Sequence, residues 1–407
     1  MSICGIIAEY NPFHNGHALH LARARKETGA EAIVCIMSGN FVQRGEPAVM
    51  PKQSRVRAAL LHGADIVLEL PVAYATATAE RFAAAAVETL AACRIVDTLC
   101  FGSESNDLAA LTASAHALAN ESEAFQSRLR AALNTGLSFP AARALAAEDT
   151  ASASAADSNV AVLATPNDIL GVEYLKAIVR QNAALTPHAI RREGAGYHDP
   201  AITGTLASAT AIRHALLRGD AWQAPMPPAA ADILLAECAV RRAPITLNHF
   251  SQAFHYALQT TPTDILARRA DISEGLENRI LRCAEDHATL SSLAAAVKTK
   301  RYTHTRVQRA LLHILLQINA ADTTATAPYI RILGFRQSAA PILRKLCAEA
   351  QLPVITNLKH ARAQLNANAF CALEHELRTT DIYRTAIQSL GGRMPSEWHE
   401  PMTITSN

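Results

Sequence analysis

Two histidines three residues apart, His14 and His17, form the most informative chemical pattern in this sequence. They belong to the run Asn11-Pro12-Phe13-His14-Asn15-Gly16-His17, between an apolar stretch and a stretch of helical composition. Gly16 lacks a side chain that would block a ligand. The N-terminus of a following helix offers unpaired N–H groups and the positive end of its dipole to a phosphate. The pattern predicts an H-x-G-H phosphate site where a strand ends.

Two other interpretations of these histidines stay open on sequence alone. His14 and His17 are also explained as caps of a helix that follows an ordinary Asn-Pro turn. A metal site is less favoured, because zinc sites need three or four ligands and no third ligand is obvious. The position directly after the first predicted strand favours the phosphate site.

A second segment, residues 37–48, follows the second predicted strand and therefore lies over the same edge of the sheet. Arg44 in this segment has the planar guanidinium that binds anions bidentately. Lys52 and Arg55, at the start of the next predicted helix, add positive charge. The alternative is a solvated turn in which Arg44 is a surface charge.

Three later positions are candidates for contact with a base or ribose. Gly102 ends another predicted strand and permits a close approach to the backbone. Asn167 has an amide suited to hydrogen bonding, although helix capping alone explains the neighbouring Pro166 and Asp168. Arg191 and Arg192 lie together at a strand end before a glycine-rich turn.

The segment Ser208-Ala209-Thr210-Ala211-Ile212-Arg213 has the composition of a helix N-terminus. Ser208, Thr210 and Arg213 could hold a departing pyrophosphate together with backbone N–H groups. A common serine–threonine helix cap is the alternative.

The densest basic stretch lies in the second half and combines cations for phosphates with rings for bases, as RNA-binding surfaces do. A solvated charged face explains it equally well. Its five cations are Lys298, Lys300, Arg301, Arg306 and Arg309.

Apolar patterning predicts the elements that position these residues. Short apolar strands alternate with amphipathic helices in the first half, which predicts an α/β fold with a Rossmann-like doubly wound parallel sheet. The predicted strands are Ile3–Ala8, Glu31–Met37, Ile66–Glu69, Thr98–Phe101 and Thr186–Arg191. The predicted helices are Gly16–Thr28, Lys52–His62, Ala79–Ala92, Asp107–Asn120, Pro166–Gln181 and Ser208–Leu217.

Two domains are expected from a chain of 407 residues. Pro225-Met226-Pro227-Pro228 reads as a stiff connector. We therefore divide the chain into residues 1–225, which form the α/β domain, and residues 226–407, which form a mostly α-helical domain. Residues 141–158 read as a surface loop or frayed helix, and residues 393–407 as a loosely held tail.

The overall composition limits the class of protein. The formal charge of +2 requires any nucleic-acid surface to be local. Eight cysteines without a C-x-x-C pair indicate a reducing compartment and argue against a zinc knuckle. No signal peptide is visible, and no apolar run approaches the roughly 18 residues of a membrane span. These features predict a soluble cytoplasmic protein without a membrane partner.

The sequence resembles the tRNA(Met) cytidine acetate ligase family, within the HIGH-type nucleotidyltransferase superfamily. The similarity covers nearly the whole chain, and its first two stretches are long and specific. The matching stretches are Glu9–His17, Met37–Ala48, Pro166–Gly171, Gly194–Asp199, Ser273–Ile280 and Lys300–Thr303. The resemblance implies an ATP-binding nucleotidyltransferase-type domain joined to a helical tRNA-binding part.

The resemblance also implies an activity: acetylation of N4 of the wobble cytidine, position 34, in elongator tRNA(Met), from free acetate and ATP. The catalytic candidates are His14, His17 and Arg44, and Mg²⁺ is expected to offset the phosphate charge. The implied ATP contacts are Ile7, Ala8, Glu9, Tyr10, Asn11, Pro12, Phe13, His14, Asn15, Gly16, His17, Ala18, Leu19, His20, Gly102, Asn167, Arg191 and Arg192.

The mechanism implied by the resemblance has two steps, formation of acetyl-adenylate and transfer of acetyl to the cytidine amine. It requires no covalent enzyme intermediate, which fits the lack of a recognisable Cys-His or Ser-His motif. Two alternatives stay open: a small-molecule adenylyltransferase, and a non-enzymatic RNA-binding protein that senses ATP.

Overall fold

A computed structural model of the chain describes residues 2–119, 123–137, 142, 145–146, 165–192, 202 and 204–406. The predicted loop at 141–158 and the family stretch at 194–199 fall largely or wholly outside these residues. The described strands are β1 (Ile3–Ala8), β2 (Ala32–Ser38), β3 (Phe41–Val42), β4 (Glu46–Pro47), β5 (Ile66–Leu70), β6 (Thr98–Ser103), β7 (Thr186–Arg191), β8 (Ile330–Arg336), β9 (Val354–Ile355) and β10 (Thr403–Thr405).

Helices follow or flank most of these strands. In the first half they are α1 (Asn15–Thr28), α2 (Lys52–Leu61), α3 (Val72–Ala75), α4 (Ala79–Ala92), α5 (Leu108–Ala119), α6 (Glu123–Asn134), α7 (Pro166–Gln181) and α8 (Ala209–Arg218). In the second half they are α9 (Pro228–Ala239), α10 (Ser251–Thr260), α11 (Thr263–Leu266), α12 (Leu276–Ala284), α13 (Leu290–Val297), α14 (His304–Leu316), α15 (Ala340–Glu349), α16 (Leu358–Gln364) and α17 (Ala367–Ser389).

The main sheet has the order β10-β8-β5-β2-β1-β6-β7, with β9 beside β8. All five predicted strands are confirmed to within two residues at each end. Side chains of β2 alternate between two apolar cores: Val34 and Ile36 face one, whereas Ile33 and Cys35 face the other. Since helices cover both faces, β2 and β5 are buried along their whole length, which explains their continuous apolar runs.

The predicted α/β fold with a doubly wound parallel sheet is confirmed, and the sheet has one antiparallel pair. Strands β5, β2, β1, β6 and β7 are parallel, but β8 pairs with β5 in the antiparallel direction. β8, β9 and β10 all come from the second half of the chain, so the mostly helical half also completes the sheet. The proposed division at residue 225 therefore separates two parts that share one sheet.

The prediction of a loose C-terminal tail is also wrong for its described residues. β10 pairs in parallel with β8, and Thr405 is buried. Glu397 is 2% exposed and lies in an ionic cluster beneath the sheet edge. The tail is held by backbone pairing and by buried charge.

Five buried ionisable groups form this cluster: Lys52, Glu69, Arg331, Glu376 and Glu397. Lys52 pairs with both Glu69 and Glu397. The Arg331 guanidinium lies 2.8 Å from Glu69 and 2.7 Å from Glu397, so two cations are shared between two carboxylates. Burial and the nearby Glu69 raise the pKa of Glu376 to about 8, and its Oε2 accepts a hydrogen bond from Val72 N at 2.5 Å. The cluster joins residues from both halves of the chain.

The helices of the second half build a separate apolar core around Phe250, Phe254 and Leu311. Phe41, from the β3–β4 hairpin of the first half, inserts into this core. Its ring lies 5.7 Å from that of Phe250 and 5.8 Å from that of Tyr383. The hairpin is therefore fixed against the helical part.

Candidate active site

A cavity of about 270 Å³ lies beside the carboxyl end of β1, between α1, the β3–β4 hairpin, β6, α7 and α8. Most of the predicted site residues line it, although they come from six segments of the chain. Those lining it are Ile7, Ala8, Glu9, Tyr10, Asn11, His14, Gly16, His17, Leu19, His20, Arg44, Gly102, Asn167, Arg191, Arg192, Ser208, Thr210 and Arg213.

Four residues of the predicted ATP segment do not line the cavity: Pro12, Phe13, Asn15 and Ala18. Phe13 is fully buried in the apolar core. The Asn15 amide donates to the carbonyls of Thr205 and Ala224, and its backbone N–H donates to the carbonyl of Pro225. These residues support the motif rather than face a ligand, and the predicted proline connector is packed against it.

Both histidines of the motif are held by backbone hydrogen bonds at the start of α1. His14 Nδ1 accepts from Gly16 N at 3.1 Å, and His17 Nδ1 accepts from His14 N at 3.2 Å. The two rings stack with centroids 3.6 Å apart. Because each Nδ1 is an acceptor, the ring proton is assigned to Nε2 in both residues. The helix-cap interpretation is therefore correct, and each residue retains an Nε2–H donor.

The imidazoles at this site are electrically neutral near pH 7. Burial, with a contribution from Arg192, lowers the pKa of His14 to about 3. Burial and the neighbouring His14 and Arg192 also lower the pKa of His17 well below its usual range. Burial lowers the pKa of His20 to about 4. Any stabilisation of a phosphate by His14 and His17 thus comes from hydrogen bonding rather than from a positive charge.

The hairpin brings Gln43, Arg44 and Glu46 to the opposite wall of the cavity. Gln43 N donates to Glu9 Oε1 at 2.7 Å, which ties the hairpin to the end of β1. Arg213 donates to the Asn11 carbonyl at 2.7 Å and lies 3.4 Å from Glu46. Arg44 and Arg213 therefore provide positive charge on this side.

The prediction that Lys52 and Arg55 add charge at the ligand is wrong, because both side chains are fully buried. Arg55 donates to the Glu9 carbonyl at 2.6 Å, to the Ser38 carbonyl at 3.1 Å and to the Gly39 carbonyl. It satisfies carbonyls at the ends of β1 and β2 and so fixes the edge of the sheet. Sequence could not separate this role from anion binding, since both need an arginine near a strand end.

The other wall is built around the junction of β6 and α7. Asp168 accepts hydrogen bonds from Glu104 N at 3.1 Å and from Ser105 N at 3.0 Å. Asn167 donates to Glu104 Oε1 at 2.5 Å and accepts from Arg192 at 3.3 Å. Asp168 is thus more than a helix-dipole partner, and it positions Asn167 beside the cavity.

Gly102 is the position at which a side chain would crowd this wall. A Cβ added there would lie 3.2 Å from Cγ of Arg192. Arg192 thus lies across the end of β6, beside the backbone of Gly102.

Sequence reasoning missed several lining residues on this wall. Leu170 and Tyr174 follow Asn167 along α7 at positions i+3 and i+7, which is the spacing of one helix face. Phe82 of α4 and Phe101 of β6 add aromatic surface. The helical spacing from Asn167 was the signal that could have found the first two.

The predicted segment Ser208–Arg213 both caps a helix and lines the cavity. Ser208 is the N-cap of α8, where its hydroxyl accepts from Ala211 N at 3.1 Å. Ser208 and Thr210 also line the cavity. The N-termini of α1 and α8 therefore both lie at this cavity.

The cations of the predicted basic stretch differ in how far they are exposed to solvent. Lys298, Lys300 and Arg301 are exposed, and Arg301 pairs with Glu274 at 2.7 Å. Arg309 is 8% exposed and binds the Asp271 carboxylate bidentately at 2.8 and 2.9 Å. We therefore correct the RNA-binding prediction for Arg309, because a paired and buried guanidinium is not available to a phosphate.

Arg306 is half-buried and tied to its neighbours. It donates to the Ser273 hydroxyl at 2.7 Å and lies over the Tyr302 ring at 5.1 Å. The family stretches at Ser273–Ile280 and Lys300–Thr303 are thus joined here. Arg306 remains at the margin of any surface formed by the exposed lysines.

No group of three or more His, Cys, Asp and Glu side chains is arranged to hold a metal ion within the described part of the chain. In the same part, no helix is long and apolar enough to cross a membrane.

Comparison with known proteins places this site in a class. The family model for HIGH Nucleotidyl Transferase matches residues 1–395, and the chain belongs to that class. The tRNA(Met) cytidine acetate ligase of Caldicellulosiruptor saccharolyticus is 40% identical over 386 residues, which is 94% of each chain. The chain belongs to the tRNA(Met) cytidine acetate ligase family.

Solved structures extend this similarity to the fold. The apo structure of Thermotoga maritima TmcAL matches with a TM-score of 0.94 at 33% identity, over the whole of both chains. The structure of the same protein bound with alpha-thio ATP matches with a TM-score of 0.92 at 32% identity, again over both whole chains.

Proposed function

We propose that this enzyme activates acetate as acetyl-adenylate and transfers acetyl to N4 of the wobble cytidine of elongator tRNA(Met), forming N4-acetylcytidine, AMP and pyrophosphate. The observation that carries the proposal is the cavity in which two Nε2–H imidazoles meet the N-termini of α1 and α8. Membership of the ligase family and the nucleotide-bound relative support the same substrates. The reaction is that of an acid–ammonia-type ligase.

In the first step, an acetate oxygen attacks the α-phosphate of ATP and pyrophosphate leaves. Nε2–H groups of His14 and His17 are suited to donate to the phosphate oxygens whose charge grows in the transition state. Arg44 and Arg213 supply fixed positive charge beside them. Ser208 and Thr210, with backbone N–H groups of α8, are suited to the pyrophosphate.

We assign ATP to the space between the histidines and the wall formed by Gly102, Asn167 and Arg192. The aromatic surface of Phe101 and Tyr174 on that wall suits an adenine ring. Mg²⁺ fits as an ion carried by the phosphates and their waters, since it commonly takes few protein ligands. When bound, it would neutralise part of the phosphate charge.

The test is incubation with ATP, labelled acetate and bulk tRNA, followed by nuclease digestion to locate the label. Acetyl on cytidine in tRNA(Met) is the expected result. Transfer of AMP to a phosphorylated small molecule would instead identify an adenylyltransferase. Binding of ATP and tRNA without turnover would identify a non-enzymatic ATP sensor.

A double charge reversal, Lys298→Glu with Lys300→Glu, should weaken tRNA binding by about 10- to 100-fold, because two phosphate contacts become repulsive. The slope of log Kd against log salt should fall by about 2 in the same variant. Titration with tRNA(Met) at two salt concentrations measures both quantities, while acetate-dependent exchange of pyrophosphate into ATP should persist.

The matched control is Arg344→Glu with Lys345→Glu on α15, which reverses two exposed charges elsewhere. The control should bind tRNA with nearly the original affinity. Equal losses in the two double variants would mean that only net charge matters, and unchanged affinity in the first would remove Lys298 and Lys300 from the interface.

A further inference from the structure

Glu9 brings a carboxylate into a cavity that suits phosphates, where a negative charge is unfavourable unless it has a partner. Its Oε1 accepts from Gln43 N at 2.7 Å. Among the described residues, no donor forms a hydrogen bond with its second oxygen, Oε2. One carboxylate oxygen is thus anchored, and the other can accept a hydrogen bond from a ligand.

The side of the cavity that contains Glu9 adjoins the helical part. Gln43, its backbone partner, belongs to the hairpin that packs on α14. A Cβ added at Gly45 would lie 2.4 Å from the backbone N of Arg309. Gln308 donates to Glu46 at 3.2 Å across the same contact. Glu9 therefore lies on the side of the cavity that is walled by the hairpin and, behind it, by α14.

We propose that Glu9 binds the exocyclic amine of the acceptor cytosine and removes a proton from it during acetyl transfer. This inference rests on the proposed function. A carboxylate pairs with the N4 amine of cytosine, which is a donor, and is mismatched with O4 of uracil, which is an acceptor. Glu9 thus selects cytosine as well as serving as a base.

The step balances without a further reactant. Cytosine N4 forms a bond to the acetyl carbon, the bond from that carbon to the phosphate oxygen breaks, and AMP leaves with the electron pair. One amine proton passes to Glu9 Oε2 and then returns to water. Burial raises the pKa of Glu9, which strengthens it as a base, whereas Gln43 N–H and the cations Arg44, Arg213 and Arg55 act in the opposite direction.

The variant Glu9→Gln keeps the acceptor for Gln43 N and replaces the other oxygen by an amide donor. We expect single-turnover transfer of labelled acetyl to tRNA to fall about 100-fold further than acetate-dependent pyrophosphate exchange. When tRNA(Met) with cytidine and tRNA(Met) with uridine at the wobble position compete for this variant, the variant should no longer prefer cytidine. The reason is that the amide can donate a hydrogen bond to uracil O4.

Glu46→Gln is the matched control, since Glu46 also lines the cavity but is bonded to Arg213 and Gln308. Exchange and transfer should change by similar factors in this variant. If Glu9→Gln also slows both steps equally, or keeps the cytidine preference, the role of Glu9 is overturned. A wild-type enzyme without acetate-dependent exchange would overturn the proposed function, and this inference with it.

Discussion

Replacing His14 by alanine should slow acetate-dependent pyrophosphate exchange by about 10²- to 10³-fold, and His17→Ala should do the same. Each change removes an Nε2–H donor that is aligned in advance by the backbone hydrogen bond to Nδ1. Because both imidazoles are neutral, the fold reduction in the exchange rate should be nearly the same at every pH between 6 and 8.

His14 also caps α1, so part of any loss in His14→Ala could come from the fold. A lost cap costs about 1 kcal/mol of unfolding free energy. His14→Asn retains a side-chain acceptor for the cap and should recover most of the thermal stability but little of the activity.

His62→Ala is the matched control for a neighbouring imidazole. Its ring stacks on Phe13 at 5.2 Å, but it does not line the cavity. Exchange should be nearly normal in this variant. Wild-type exchange in His14→Ala or His17→Ala would refute the catalytic assignment, and equal loss in His62→Ala would attribute the effect to packing.

Replacing Lys52 by methionine should lower the free energy of unfolding by about 3–5 kcal/mol. The change leaves Glu69 and Glu397 buried with Arg331 as their remaining cation in the cluster. Urea unfolding measures the loss. The matched surface change, Lys345→Met, removes an exposed pair to Glu349 and should cost at most about 1 kcal/mol.

A second variant separates charge balance from simple loss of packing. Lys52→Met combined with Glu69→Gln removes one charge of each sign and should regain part of the stability. If Lys52→Met alone is as mild as Lys345→Met, or if the double variant is less stable than the single one, the cluster does not hold the C-terminal segment as described.

The parts of the fold that sequence predicted are those set by local patterning. The apolar runs of β1, β2 and β5 and the turn into α1 are each formed by neighbouring residues, so local patterning predicts them. Because these strands are parallel, their carboxyl ends lie at one edge of the sheet, where a ligand site is expected. The grouping of Asn167, Arg192 and Ser208 with His14 was accessible through the family resemblance. Helical spacing along α7 assigns Tyr174 to the site only once Asn167 is known to line the cavity.

The parts that were missed depend on contacts between distant segments. Lys52 reads as an exposed helix start, because its partner Glu397 lies at the other end of the chain and Glu69 belongs to a separate strand 17 residues away. β8 pairs antiparallel with β5 across more than half of the chain, so no local period indicates it. Burial of Arg309 was likewise decided by how α14 packs against Asp271, whereas Lys298, a basic residue of the same stretch, lies outside that helix and is exposed.

The pairing of β8 with β5 has a consequence for synthesis on the ribosome. Chains emerge N-terminus first, and β5 is made long before β8 and β10. Until then β5 is an open edge with unpaired backbone groups, and such edges invite association between chains. Glu69 on that edge has Lys52 as a partner from the start, but its second cation, Arg331, is supplied only when β8 is made. Nascent and C-terminally truncated chains are therefore the forms most exposed to aggregation.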